Sequence, residues 1–140
     1  MPHVLTPGRG TTFLETAQAQ HTATDATVVT TAETALQSTS VAFPAGTRVA
    51  ILAVVAYTMP AAEVYVRVRR GTTAGGALVG ETITKDNVSY STVPDSATVL
   101  VVDATPASPQ AYVVTIQQAA TAVNGTVHAS AIAVLPLSFL

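Results

Sequence analysis

The chain has no cysteine and no tryptophan, and only 10% of its residues are charged. Without cysteine there are no disulfides, no thiolate metal ligands and no thiol nucleophile. Tyr and Phe supply only 5% of the residues, which is thin for the aromatic platforms that stack bases or sugars. An ordinary soluble domain is about 25% charged. Here the net charge is −2 and the pI about 5.8, so no global field draws the protein to nucleic acid or to an anionic membrane. The longest apolar run, Val49–Tyr57, is about half of what would span a bilayer. Met1-Pro2-His3 opens no basic segment with an apolar stretch behind it, so no secretory signal is expected.

What is present is a chain of 140 residues, 49% hydrophobic and rich in Ala, Val and Thr. That length fits one domain. So few charges suit a protein that hides much of its surface in an assembly.

The organising stretch is Arg48–Thr73. It reads as a long strand (Arg48–Met59), a turn at Pro60-Ala61-Ala62 and a second strand (Glu63–Arg70), together expected to form a hairpin. In the second strand Val64, Val66 and Val68 alternate with Glu63, Tyr65, Arg67 and Arg69, the pattern of one buried and one wet face. The first strand is apolar on both faces. Ala50, Leu52, Val54 and Ala56 line one, and Val49, Ile51, Ala53, Val55 and Tyr57 line the other. Such a strand is covered on both sides by its own fold or used to bind another chain.

Residues 1–23 differ from the rest. Pro2, Pro7, Gly8 and Gly10 precede a possible capping box, Thr12 with Glu15. A helix over Phe13–Gln20 would be too short to stand alone. This segment is expected to be an extended arm that packs on the body or on a neighbour. Residues 24–140 are expected to form one domain of short strands: Asp25–Thr31, Ala35–Phe43, the two of the hairpin, Ala77–Lys85, Ala97–Ala104, Ala111–Gln118 and Thr126–Leu135. Turn residues separate them, and no helical periodicity follows residue 23. The pattern implies an all-β antiparallel sandwich, and about eight strands is the count of a jelly roll. An immunoglobulin-type sandwich lacks its usual Trp and Cys.

Three stretches carry a resemblance: PAGTRVAILAVVAYT, VYVRVRRGTTAGGALVGE and AYVVTIQQAATAVNGTVHASAIAVL. Over Ala35–Leu135 the chain resembles the small jelly-roll proteins and domains of tailed-bacteriophage virions. In that group a strand ending in basic residues runs into a Gly-Thr-Thr loop and a Gly-rich return. A Tyr-bearing strand then precedes a turn and a final Ala/Ser-rich strand. The resemblance implies a homotrimeric, non-enzymatic virion component assembled in the host cytoplasm. Capsid decoration (cement), with the major capsid protein or another lattice protein as partner, leads this reading. A carbohydrate-binding or host-adsorption module on a head fibre or tail is the alternative.

Candidates for chemistry are few. His3, His21 and His128 have no metal-ligand spacing, and His128 is placed on a polar face with Thr126 and Ser130. The eight carboxylates are scattered, the Gly71–Gly76 stretch lacks the Lys-Ser/Thr of a phosphate loop, and no G-x-S-x-G occurs. Neither a catalytic constellation nor a cofactor is therefore expected, and Gly71–Gly76 reads as a hairpin loop. Arg67, Arg69 and Arg70 form the one cluster of charge. Arg67 and Arg69 share the outward face and are candidates for a partner contact, along with Arg9, Phe13 and Leu14 of the arm. Ile51, Val55, Tyr57, Leu137 and Phe139 are candidates for a subunit interface.

Overall fold

A computed structural model of the chain describes residues 27–60, 63–86, 94–120 and 123–137. The arm, with Arg9, Phe13 and Leu14, and the terminal Phe139 lie outside them. Eight strands follow in order: β1 (Thr27–Val29), β2 (Thr34–Val41), β3 (Val49–Thr58), β4 (Glu63–Arg70), β5 (Leu78–Asp86), β6 (Asp95–Asp103), β7 (Gln110–Gln118) and β8 (Gly125–Pro136). Their composition accounts for them. Val, Ile and Thr suit a pleated surface that is half buried, and Gly, Pro and Asn fall between the strands or at their ends, with Gly80 inside β5 the exception among the described residues.

The strands make two antiparallel sheets, β1-β8-β3-β6 and β2-β7-β4-β5. Each strand of the first half pairs with one of the second half in reverse order: β1 with β8, β2 with β7, β3 with β6 and β4 with β5. The chain is thus one long antiparallel ribbon, turned at the Gly71–Ala77 loop. Rolling the ribbon up adds the β3–β8 and β4–β7 pairings. This connectivity is a jelly roll, as the strand count implied.

The expected hairpin of β3 with β4 does not form. β3 pairs with β6 and β8, β4 pairs with β5 and β7, and the two strands belong to opposite sheets. The physical reason is the core. Each strand carries an apolar face that needs a facing layer, and crossing at Pro60 lets the two layers cover one another. Inward from one sheet come Val49, Ile51, Val55, Tyr57, Val99, Val101, Ile132 and Val134. Val64, Val66, Val68, Tyr112, Val114 and Ile116 face them from the other, all in one buried cluster.

Gly80 marks where the sandwich closes along the β5–β6 side. Its φ is +69°, and a Cβ there would stand 2.6 Å from Val101 Cγ1 of β6. A register shift in the β4–β5 pairing between Val66 and Val68 lies alongside. Gly71, in the ribbon's turn, also has positive φ (+97°) but has open space around it. Gly80→Ala should therefore cost about 2–4 kcal/mol, backbone strain plus overpacking. Gly71→Ala should cost only about 1 kcal/mol of strain. Denaturant melts of the two variants compare them directly, and equal losses would show that the contact with Val101 yields freely.

Candidate interaction surface

The sandwich has two outer faces, and their chemistry is opposite. On the β2-β7-β4-β5 sheet, alternation aims Tyr65, Arg67 and Arg69 of β4 outward, beside Val113, Thr115 and Gln117 of β7. Glu33, just before β2, closes over them. Arg69 grips it with two hydrogen bonds, Nε to Oε1 at 2.6 Å and Nη2 to Oε2 at 2.8 Å. Arg67 Nη1 lies 3.3 Å from Glu33 Oε2, and the Thr115 hydroxyl donates to Glu33 Oε1. Arg67 also donates to Thr82 and to Gln117, and its guanidinium sits 5.4 Å from the Tyr65 ring centroid. Burial alone would raise the Glu33 carboxyl, but the hydrogen bonds from Arg69 and Thr115 and the nearby Arg67 charge hold it below the ordinary range. Arg67 and Arg69, expected to be open to a partner, are thus already paired within the chain.

The outer face of the β1-β8-β3-β6 sheet is apolar and carries no formal charge. Its outward positions are Val28 on β1, Ala131, Ala133 and Leu135 on β8, Ala50, Leu52, Val54 and Ala56 on β3, and Leu100 and Val102 on β6, with Thr and Ser between them and His128 towards one end. The registers set them in rows: Leu135–Ala50–Val102, Ala133–Leu52–Leu100 and Ala131–Val54–Thr98. Leu100 is 65% exposed. Of the eight large apolar side chains exposed among the described residues, six (Val28, Val54, Leu100, Val102, Leu135 and Leu137) lie on this face or at its end. Scattered exposed leucines are ordinary, but a contiguous apolar sheet face marks an interaction site.

Three expected interface residues are displaced by this geometry. Ile51, Val55 and Tyr57 are fully buried between the sheets, because the face of β3 that carries them turns to the core. They can touch no other subunit. The outward side of β3 is its other apolar face, through Leu52 and Val54. Leu137 is exposed just past β8, its N–H bonded to Arg48 O at 2.7 Å. The doubled apolar run Val99-Leu100-Val101-Val102 was the overlooked signal on β6, since a strand wet on one face would have alternated. Ser130, expected outward with His128, is buried. A register shift between Ala56 and Tyr57 spends an extra β8 residue and flips the alternation there. His128 itself is exposed, with Nε2 2.7 Å from Thr58 Oγ1.

At one end of the core stands a tie between the sheets. Asp103, the last residue of β6, points inward and is 4% exposed. It accepts from Arg70 Nε at 2.9 Å and Nη2 at 2.6 Å, from Tyr112 Oη at 2.9 Å and from the Thr105 N–H at 3.1 Å. Burial pushes its carboxyl up, but those donors outweigh it and the pKa is lowered. Burial, then Asp103, pushes the Tyr112 hydroxyl well up. Burial, with Asp95 nearby, raises the Tyr57 hydroxyl to about 12. Neither tyrosine is poised for proton transfer near neutral pH. No cluster of three His, Asp or Glu able to hold a metal occurs among the described residues.

No protein-family model matches the chain, and no curated protein matches it.

The Asp103 tie sets a measurable property. Asp103→Asn should cost about 1–3 kcal/mol, since the buried amide that replaces the carboxylate cannot accept from Arg70, Tyr112 and the Thr105 N–H together. The pH dependence has a definite sign. Folding holds Glu33 and Asp103 below their ordinary values of 4.5 and 3.8. Their stabilisation is therefore fully present above about pH 5 and is lost as pH falls through the lower folded values. Thermal melts should show Tm falling below about pH 5, and the E33Q/D103N double variant should lose most of that slope. An unchanged slope in the double variant would assign the acid sensitivity to other carboxylates, Asp95 first.

Proposed function

We propose that the protein is a non-enzymatic structural subunit of a tailed-bacteriophage virion, a capsid decoration protein that binds the assembled shell and stabilises it. The observation that carries this reading is the contrast between the two outer faces. One is a network of paired charges suited to water, and the other is a charge-free apolar sheet suited to burial in an assembly. The jelly roll and the strand-and-turn pattern over Ala35–Leu135 agree with it. In this role the chain contributes binding free energy spread over a lattice rather than chemistry.

The energetics follow from the geometry of a shell. An oligomer that presents several copies touches several neighbouring capsid subunits, and after the first contact the others are intramolecular. Each can be weak while the sum is strong. A ligand that binds only the assembled shell stabilises it by mass action.

Capsids saturated with the protein should rupture at a higher temperature than stripped ones. The protein should also show little affinity for unassembled capsid subunits. Calorimetry of decorated and undecorated particles is the test. Equal rupture temperatures at full occupancy would overturn the cement role and bring forward host adsorption.

A further inference from the structure

We propose that the outer face of the β1-β8-β3-β6 sheet is a self-association surface, packed against the same face of a second copy of this chain. The inference rests on reading that face as buried in an assembly, but not on which assembly it is.

Three observations select a second copy as the occupant. The first is charge. The outward positions of β3, β6 and β8 include no Asp, Glu, Lys or Arg. Two copies can meet there without like-charge repulsion, whereas a different protein would gain no charge complementarity to set its register. In a symmetric pair the axis itself sets the register.

The second is relief. In the central row the outward side chains run from small on β8 (Ala133) through Leu52 on β3 to large on β6 (Leu100), while in the next row Leu135 of β8 and Val102 of β6 flank the small Ala50. A two-fold axis along β3 lays β6 of one copy over β8 of the other. Leu100 of each copy then stands over the shallow Ala133 of its mate, with Leu52 and Val54 meeting their own counterparts at the axis. Large against small is how facing sheets interdigitate.

The third is extent. Three strands about 4.8 Å apart over nine paired positions of about 3.3 Å each, with the three-residue β1 beside them, give a patch of roughly 475 Å² in projection. Side-chain relief raises the accessible area above that, into the range of the smaller specific interfaces at about 600 Å² per partner. The polar Ser96, Thr98, Thr58 and His128 supply a rim at one end.

The test is the mass of the full chain in solution by sedimentation equilibrium at micromolar concentration. The expected result is twice the 14.3 kDa chain or an even multiple of it, and an odd-numbered oligomer such as a trimer would overturn the two-fold pairing. Leu100→Lys places a charge inside the interface twice, once per copy and each facing Ala133 of the mate, and should weaken association on the order of 100-fold. Because Leu100 is exposed in the single chain, this variant should still melt cooperatively. Val102→Lys, on the same strand, serves as the second variant, and Leu78→Lys, exposed on the opposite sheet, should leave the mass unchanged. A wild-type protein that is a 14.3 kDa monomer overturns the proposal, as does an oligomer that both β6 variants leave intact. Capsid binding by the same proteins separates the two readings. A monomer that binds capsids, and loses binding with Leu100→Lys, overturns self-association alone. An oligomer indifferent to capsids overturns the decoration role alone.

Discussion

Asp103 is the point at which the two sheets are held to one another by something more directional than apolar contact. Its carboxylate ends β6 in one sheet and accepts hydrogen bonds from Arg70 of β4 and Tyr112 of β7 in the other. Apolar packing sets the separation of two sheets but tolerates sliding, while a fork of hydrogen bonds on a buried carboxylate does not. At the far end of β7, Gln118 does a related job more weakly, donating to Val29 O of β1 across the layers. The core between these ties is built largely of valine, whose branched side chains have few rotamers to lose.

With the inner faces committed to this core, the outer faces are free to differ. The β2-β7-β4-β5 sheet gathers three of the chain's six basic residues on β4, Arg70 turning inward to Asp103 and the other two meeting Glu33. The remaining sheet is left almost without polar function. Such a surface is costly for a solitary chain because it invites non-specific association. Its retention makes sense where the face is covered in use.

How much of this was legible in the sequence follows from the range of the interactions. Strand positions were, because alternation and turn residues are local: β4 read directly from its period of two, and the other strands from apolar runs bounded by turn residues. The jelly-roll class followed from their number and spacing. The pairing of β3 with β4 was misread because adjacency favours hairpins, and only the global need for a facing layer sends the chain across at Pro60. On β3 both faces are apolar, so composition alone could not say which was core, and Ile51, Val55 and Tyr57 were assigned to the wrong side. The β8 bulge that buries Ser130 leaves no local mark. Nor could Glu33 be linked to Arg67 and Arg69, which lie more than thirty residues away along the chain.

Association through the face, rather than along a strand edge, is also what the architecture favours. β6 is the long edge strand of the apolar sheet and would ordinarily be its hazard, offering unpaired backbone to another chain. Here the edge is partly covered. β5 of the opposite sheet closes in at Gly80, against Val101, and Lys85 donates to Ser96 O at 2.6 Å while pairing with Asp95. A neighbour adding a strand would have to displace that lysine and part β5 from β6. A neighbour laid flat on Leu52, Val54 and Leu100 displaces only water. The fold thus hinders strand addition along β6 and leaves open, on the flat face, an association that a symmetry axis can close.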